Sequence, residues 1–150
     1  MRSYWLVAHL LGVVAWMGGA FSMMALSMAA AAEARNHLAL VVRLQGALVR
    51  GLVLPGAVMA VASGLMLTLS MYGQAASMGV PRRLMVMQGA GILAAVIVLV
   101  VIVPTAARIQ RLDPVGEYAP LFDALRRRLR LAGMVSGVLG LIALVAWEMR

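Results

Sequence analysis

The stretch "AHLLGVVAWMGG", Ala8 to Gly19, sets a histidine and a tryptophan among glycines inside a long apolar run. At 100° per residue, Trp5, His9, Gly12, Trp16, Gly19 and Met23 share one side of a helix. Counted at ~1.5 Å per residue from Tyr4, His9 lies ~7 Å along that helix and Trp16 ~18 Å. A neutral imidazole at such a position is a ligand for a metal or a haem iron, or a hydrogen-bond donor to a carbonyl or hydroxyl of a neighbouring helix. Gly12 and Gly19 leave concave space beside the two rings, which a flat tetrapyrrole or another helix could fill.

The second histidine, His37, follows the polar "EARN" (33 to 36) and reads as solvated. It stands 28 residues from His9, ~40 Å along a helix axis, so the two cannot ligate one iron. A haem would take His9 alone, His9 with a methionine, or His9 with a ligand from another chain. Thioethers suit Cu(I). Five of the thirteen methionines (Met71, Met78, Met85, Met87, Met149) fall on the His9 side, but methionine is equally a filler of apolar gaps. With no cysteine there is neither thiolate metal site nor cysteine nucleophile, and no nucleotide-binding glycine loop, metalloprotease motif or serine triad is present.

The elements that must position these residues are membrane helices. Hydrophobic residues make up 64% of the chain and charged ones 12%, which makes the bilayer the expected solvent. Apolar runs give helix 1 from about Tyr4 to Ala32, helix 2 from Leu38 to Tyr72, helix 3 from Arg83 to Leu112 and helix 4 from Pro120 to Met149. "EARN", "YGQAASMGVP" (72 to 81) and "DPVGEYAP" (113 to 120) break them. The expectation is an all-α integral membrane protein, one domain over residues 1 to 150, folded as an up-down-up-down four-helix bundle. The first run lacks signal-peptide features and reads as a retained helix.

The net charge of +8 does not point to nucleic acid, because all thirteen basic residues are arginines at or near the ends of apolar runs. Arg35, Arg43, Arg50, Arg108, Arg111, Arg126, Arg127, Arg128 and Arg130 lie on one side of the four spans, against Arg2, Arg82, Arg83 and Arg150 on the other. The positive-inside rule puts both termini outside the cytoplasm of a bacterial-type inner membrane. Tyr4, Trp5, Tyr72 and Trp147 would form an aromatic belt at the terminal side. Arg126, Arg127, Arg128 and Arg130 would contact lipid headgroups or an acidic partner.

Membrane helices associate through small residues. Gly56, Ala60 and Gly64 in helix 2, Gly133 with Gly137 and Ser136 with Gly140 in helix 4, and Ala8 with Gly12 in helix 1 are the expected contacts. They would pack within one chain, between copies in a homo-oligomer, or against other membrane subunits. Pro55 and Pro104 would kink helices 2 and 3.

The spacing of His9, Trp16, Gly18 and Gly19 resembles the first helix of the small four-helix membrane protoporphyrinogen oxidases of the HemJ type and their uncharacterised relatives. Arg43, Pro55 and Gly64 in "RLQGALVRGLVLPGAVMAVASGLML" are similar to that family's second helix, and copper-resistance membrane domains of the CopD type look alike at the same level. The resemblance covers the first half and implies a b-type haem or porphyrin site near His9, with Arg43 a further cofactor-binding residue. The family's histidine and lysine in helix 3, and its arginine with an Asn-Glu pair leading into helix 4, are replaced here by "PRRLMVMQGAGILAAV" and "RRRLRLAGMVSG". Within the third apolar run only Gln88 is polar, so no acid or base is available for porphyrinogen oxidation there. The reading is a non-catalytic membrane protein that binds a tetrapyrrole near His9 or packs on partner subunits. Its alternatives are a structural subunit of a larger respiratory or photosynthetic complex, a divergent haem-pathway oxidase using His9 and Arg43, and copper handling.

Overall fold

The computed structural model describes residues 2–31, 34–72 and 81–146. Helix α1 spans Arg2–Ala29. Helix α2 runs through Leu38–Leu48, a π-helical turn at Val49–Val53 and Leu54–Tyr72; helix α3 repeats that plan with Arg82–Ile97, a π turn at Val98–Ile102 and Val103–Ile109. Helix α4 is Ala119–Val145, and no strand occurs among the described residues. The chain is thus an all-α four-helix bundle, and each helix carries an apolar span long enough to cross a ~30 Å hydrocarbon core. Large apolar side chains such as Leu10, Leu11, Val14, Val100, Val138 and Val145 cover the outside, as a multi-pass membrane protein requires.

The helix ends differ slightly from the apolar runs. Helix α1 stops three residues before Ala32, where Ala31 N–H turns back to the Met28 carbonyl at 3.1 Å and tightens the last turn. Helix α3 ends at Ile109 instead of Leu112, again with i to i−3 bonds from Arg111 and Leu112. The expected end of helix 4 at Met149, the belt residue Trp147, Met78, Arg150 and most of the loop from 72 to 81 lie outside the described residues. Tyr4 and Trp5 are exposed at the N-terminal end.

At the two prolines the helices widen. Each π turn ends two residues before a proline, Pro55 or Pro104. Proline has no N–H to donate and its ring crowds the carbonyl four residues back, so one wider turn relieves the clash. Val49, Val53, Val98 and Ile102 of these turns are all buried in one core cluster with Trp16, Met23, Ala94, Ala95 and Leu129. A second cluster of Ala30, Leu38, Val42, Ile109 and Phe122 closes the arginine-rich end. Arg35 ties the connection there, bonding Asp123 at 2.8 Å and the Pro114 carbonyl at 3.2 Å.

Helix α1 packs chiefly on α2, and α3 on α4. The first pair meets backbone to backbone. A Cβ on Gly12 would stand 2.6 Å from the Ala60 nitrogen, and one on Gly56 2.6 Å from the Trp16 nitrogen. A Cβ on Gly19 would likewise stand 2.8 Å from Val53 Cγ2. The concave space expected beside Gly12 and Gly19 is therefore filled by α2. Within the chain Gly133 and Gly137 pack on no other helix, since a Cβ on either would meet no atom within 4 Å. The neighbouring stripe packs instead, because Leu129, Ser136 and Gly140 are, with Phe122, the buried positions of α4. Ser136 Oγ donates to the Ala94 carbonyl at 3.3 Å, and Gly140 faces the Met17 sulfur.

Gly12→Ala and Gly56→Ala should each destabilise the bundle by about 1–3 kcal/mol, the usual cost of overpacking. Gly133→Ala and Gly137→Ala should be neutral or stabilising, because alanine is the better helix former by about 1 kcal/mol. Unfolding titrations in mixed detergent micelles measure the order, and its reversal would refute this packing.

Candidate functional site

His9 sits where α1 and α2 touch. Its Nδ1 is 2.8 Å from the Ala60 carbonyl oxygen. A carbonyl only accepts, so Nδ1 carries the proton and Nε2 of the neutral ring keeps a free lone pair. Gly64 makes room for the ring: a Cβ there would lie 3.1 Å from His9 Cε1 and 3.2 Å from Nδ1. Ser63 Oγ completes the seat at 3.5 Å from Nδ1 while donating to the Met59 carbonyl. Among the described residues nothing donates to Nε2, and the ring is half-buried.

The face expected on α1 is thus assembled, but as a helix contact. Trp16 is buried in the central core, and Gly12, Gly19, Gly56 and Ala60 are consumed by the meeting of the two backbones. Arg43 stands apart. It lies seventeen residues before Ala60 on α2, ~25 Å along the axis, most of the thickness of a ~30 Å hydrocarbon core. His9 and Arg43 therefore do not converge on one small ligand. Arg43 instead lines a cleft of about 280 Å³ with Val42, Arg111 and Asp113 at the other end of the bundle.

Further polar side chains stitch neighbouring helices. Gln45, buried among apolar residues, donates to the Met23 carbonyl at 3.2 Å and to Ser27 Oγ at 2.8 Å. Gln88, near the start of α3, donates to Thr68 Oγ1, and Thr68 in turn bonds the Gly64 carbonyl at 3.0 Å. Arg50 reaches Gln110 Oε1 at 3.3 Å, and the Gln110 side chain passes over Gly46, where any Cβ would collide with it. Ser63, Gln45 and Gln110 went unselected in the sequence. An isolated amide in an apolar stretch, and a serine beside Ala60 and Gly64 on one ridge, were the available signals.

Met71 and Met85 are exposed, and no group of three histidine, cysteine, aspartate or glutamate side chains that could hold a metal ion occurs among the described residues. Arg127, Arg128 and Arg130 are exposed on α4, and Arg126 is half-buried beside them. His37 is exposed at the end of the short turn Arg35–His37. No family model, curated protein or solved structure matches the chain.

Nitrogen NMR of the ring labelled with ¹⁵N should show a protonated Nδ1 and a bare, pyridine-like Nε2 at neutral pH. The opposite tautomer would contradict the bond to Ala60.

Proposed function

We propose that this chain is a non-catalytic membrane protein that offers His9 Nε2 as the single protein ligand to a b-type haem iron. The bond from Nδ1–H to the Ala60 carbonyl carries this reading. Iron-ligating histidines commonly use their second nitrogen in this way, which fixes the tautomer and orients the lone pair. The resemblance of the His9 to Gly19 stretch to four-helix porphyrin enzymes points to the same group. Because α2 fills the space beside Gly12 and Gly19, a macrocycle would have to approach His9 from its Nε2 side. Haem bound there would supply one-electron redox chemistry, while the chain holds the ring of His9 in place and keeps Nδ1 protonated. The arginine distribution supports a bacterial-type inner membrane with both termini, and His9 near them, on the outer side.

A second reading rests on the same contact. With Gly12, Gly19 and Gly56 consumed by helix packing, the chain would be a structural subunit of a larger membrane complex. His9 Nε2 would then accept a donor from another subunit.

Absorption spectra of the detergent-purified protein, expressed with ample haem supply, should show a Soret band and sharpened α and β bands on dithionite reduction. His9→Ala should abolish them, whereas Gly64→Ala, which nudges the ring but keeps it, should shift them. A colourless wild type, or an unchanged spectrum in His9→Ala, would overturn the haem reading.

A further inference from the structure

A groove of about 410 Å³ runs between α3 and α4. Ile97 and Val101 wall it on one side and Leu131 and Val135 on the other, each pair four residues apart and so on one helix face. Arg127 and Arg128 stand at one end. Neither guanidinium has a carboxylate partner among the described residues, and the nearest acid in sequence, Asp123, is bound by Arg35. We propose that this groove binds one anionic diacyl phospholipid, with the phosphate on Arg127 and Arg128 and an acyl chain along the apolar walls.

The register of the two helices gives the depth. The bond from Ser136 Oγ to the Ala94 carbonyl sets α3 and α4 side by side and antiparallel at that point. Eight residues back along α4 is Arg128, and eight residues on along α3 is Ile102. From Arg83, at the far end of α3, to Ile102 is nineteen residues, ~28 Å, which matches a ~30 Å hydrocarbon core. The two arginines therefore sit at the level of the lipid phosphates, and the apolar walls run from there into the hydrocarbon. Arg128 to Val135 is seven residues, ~10 Å, enough for the upper part of an acyl chain.

Charge selects the headgroup. Guanidinium forks match phosphate oxygens, and an anionic lipid presents that phosphate without a cation of its own, whereas a choline headgroup brings a positive charge against the arginines. Leu131 and Val135 are about half exposed, so the acyl chain meets side chains that already face lipid. This site lies at the opposite end of the bundle from His9 and holds whether or not His9 binds iron.

Native mass spectrometry of the full chain in detergent tests the site, with phosphatidylglycerol and phosphatidylcholine of equal chain length as probes. Phosphatidylglycerol should be retained roughly tenfold more than phosphatidylcholine or better, as two arginines near an anionic group provide. The double variant Arg127→Gln/Arg128→Gln should lose that preference. Val135→Trp, a lipid-facing change that fills the groove and keeps both charges, should lower retention of either lipid. Arg108→Gln/Arg111→Gln, at the same end but outside the groove, should leave retention unchanged. Equal retention of both lipids by the wild type would overturn the proposal, as would an equal loss in the Arg108/Arg111 variant. So would displacement of the lipid by inorganic phosphate, or a dimer that Val135→Trp dissociates.

Discussion

The backbone contact between α1 and α2 is the interaction on which the rest of the molecule depends. In hydrocarbon, apolar side chains gain little by touching one another, so helices hold where their backbones come close enough for dispersion and hydrogen bonding to add up. Gly12 and Gly56 allow that approach, and Ala60 lies directly against Gly12. The Ala60 carbonyl, already within its own helix, then has a second lone pair within reach of His9 Nδ1. Gly64 leaves the imidazole somewhere to lie. One close approach thus packs the helices and fixes the histidine tautomer.

The other helix pairs are held by different means. Small numbers of polar side chains tie them: Gln88 and Arg50 join α2 and α3, and Ser136 joins α4 to α3, while Gln45 adds a further tie between α2 and α1. Each such bond is worth about 0.6 kcal/mol on average in membrane proteins, so their effect lies mainly in setting register. The two π turns add to this by placing Val49, Val53, Val98 and Ile102 on one buried surface. Proline, the cause of both turns, therefore shapes the core without entering it.

Much of this was legible in the chain. Length and hydropathy located four helices, because a backbone in lipid must hydrogen-bond to itself, so each long apolar run has to be a helix. The ridge of Gly56, Ala60 and Gly64 was visible for the same reason, as was the shared face of Trp5, His9, Gly12, Trp16 and Gly19. Helical periodicity alone, however, did not say what filled that face; three-dimensional contact with α2 did. The Gly133 and Gly137 stripe shows a related gap, because small residues spaced by four on α4 occur on two adjacent stripes, and only the contacts of Ser136 with Ala94 on α3 and of Gly140 with Met17 on α1 show which one packs within the chain. Arg43 was joined to His9 by resemblance, and their separation along α2 became plain only once Ala60 was seen to be the level of His9. The π turns were foreshadowed by prolines but not their position, which depends on which carbonyl the ring would strike.

A double-mutant cycle between Gly12→Ala and His9→Ala, read by unfolding in detergent micelles, tests most directly whether helix approach controls the histidine. If the Ala60 carbonyl reaches His9 only because the backbones touch, His9→Ala should matter much less once Gly12→Ala has pushed the helices apart. The two effects should then fall short of additivity by about 0.5 kcal/mol or more, as coupled neighbours do. Strict additivity would mean that His9 is held by something other than the α1 and α2 contact, and would contradict it.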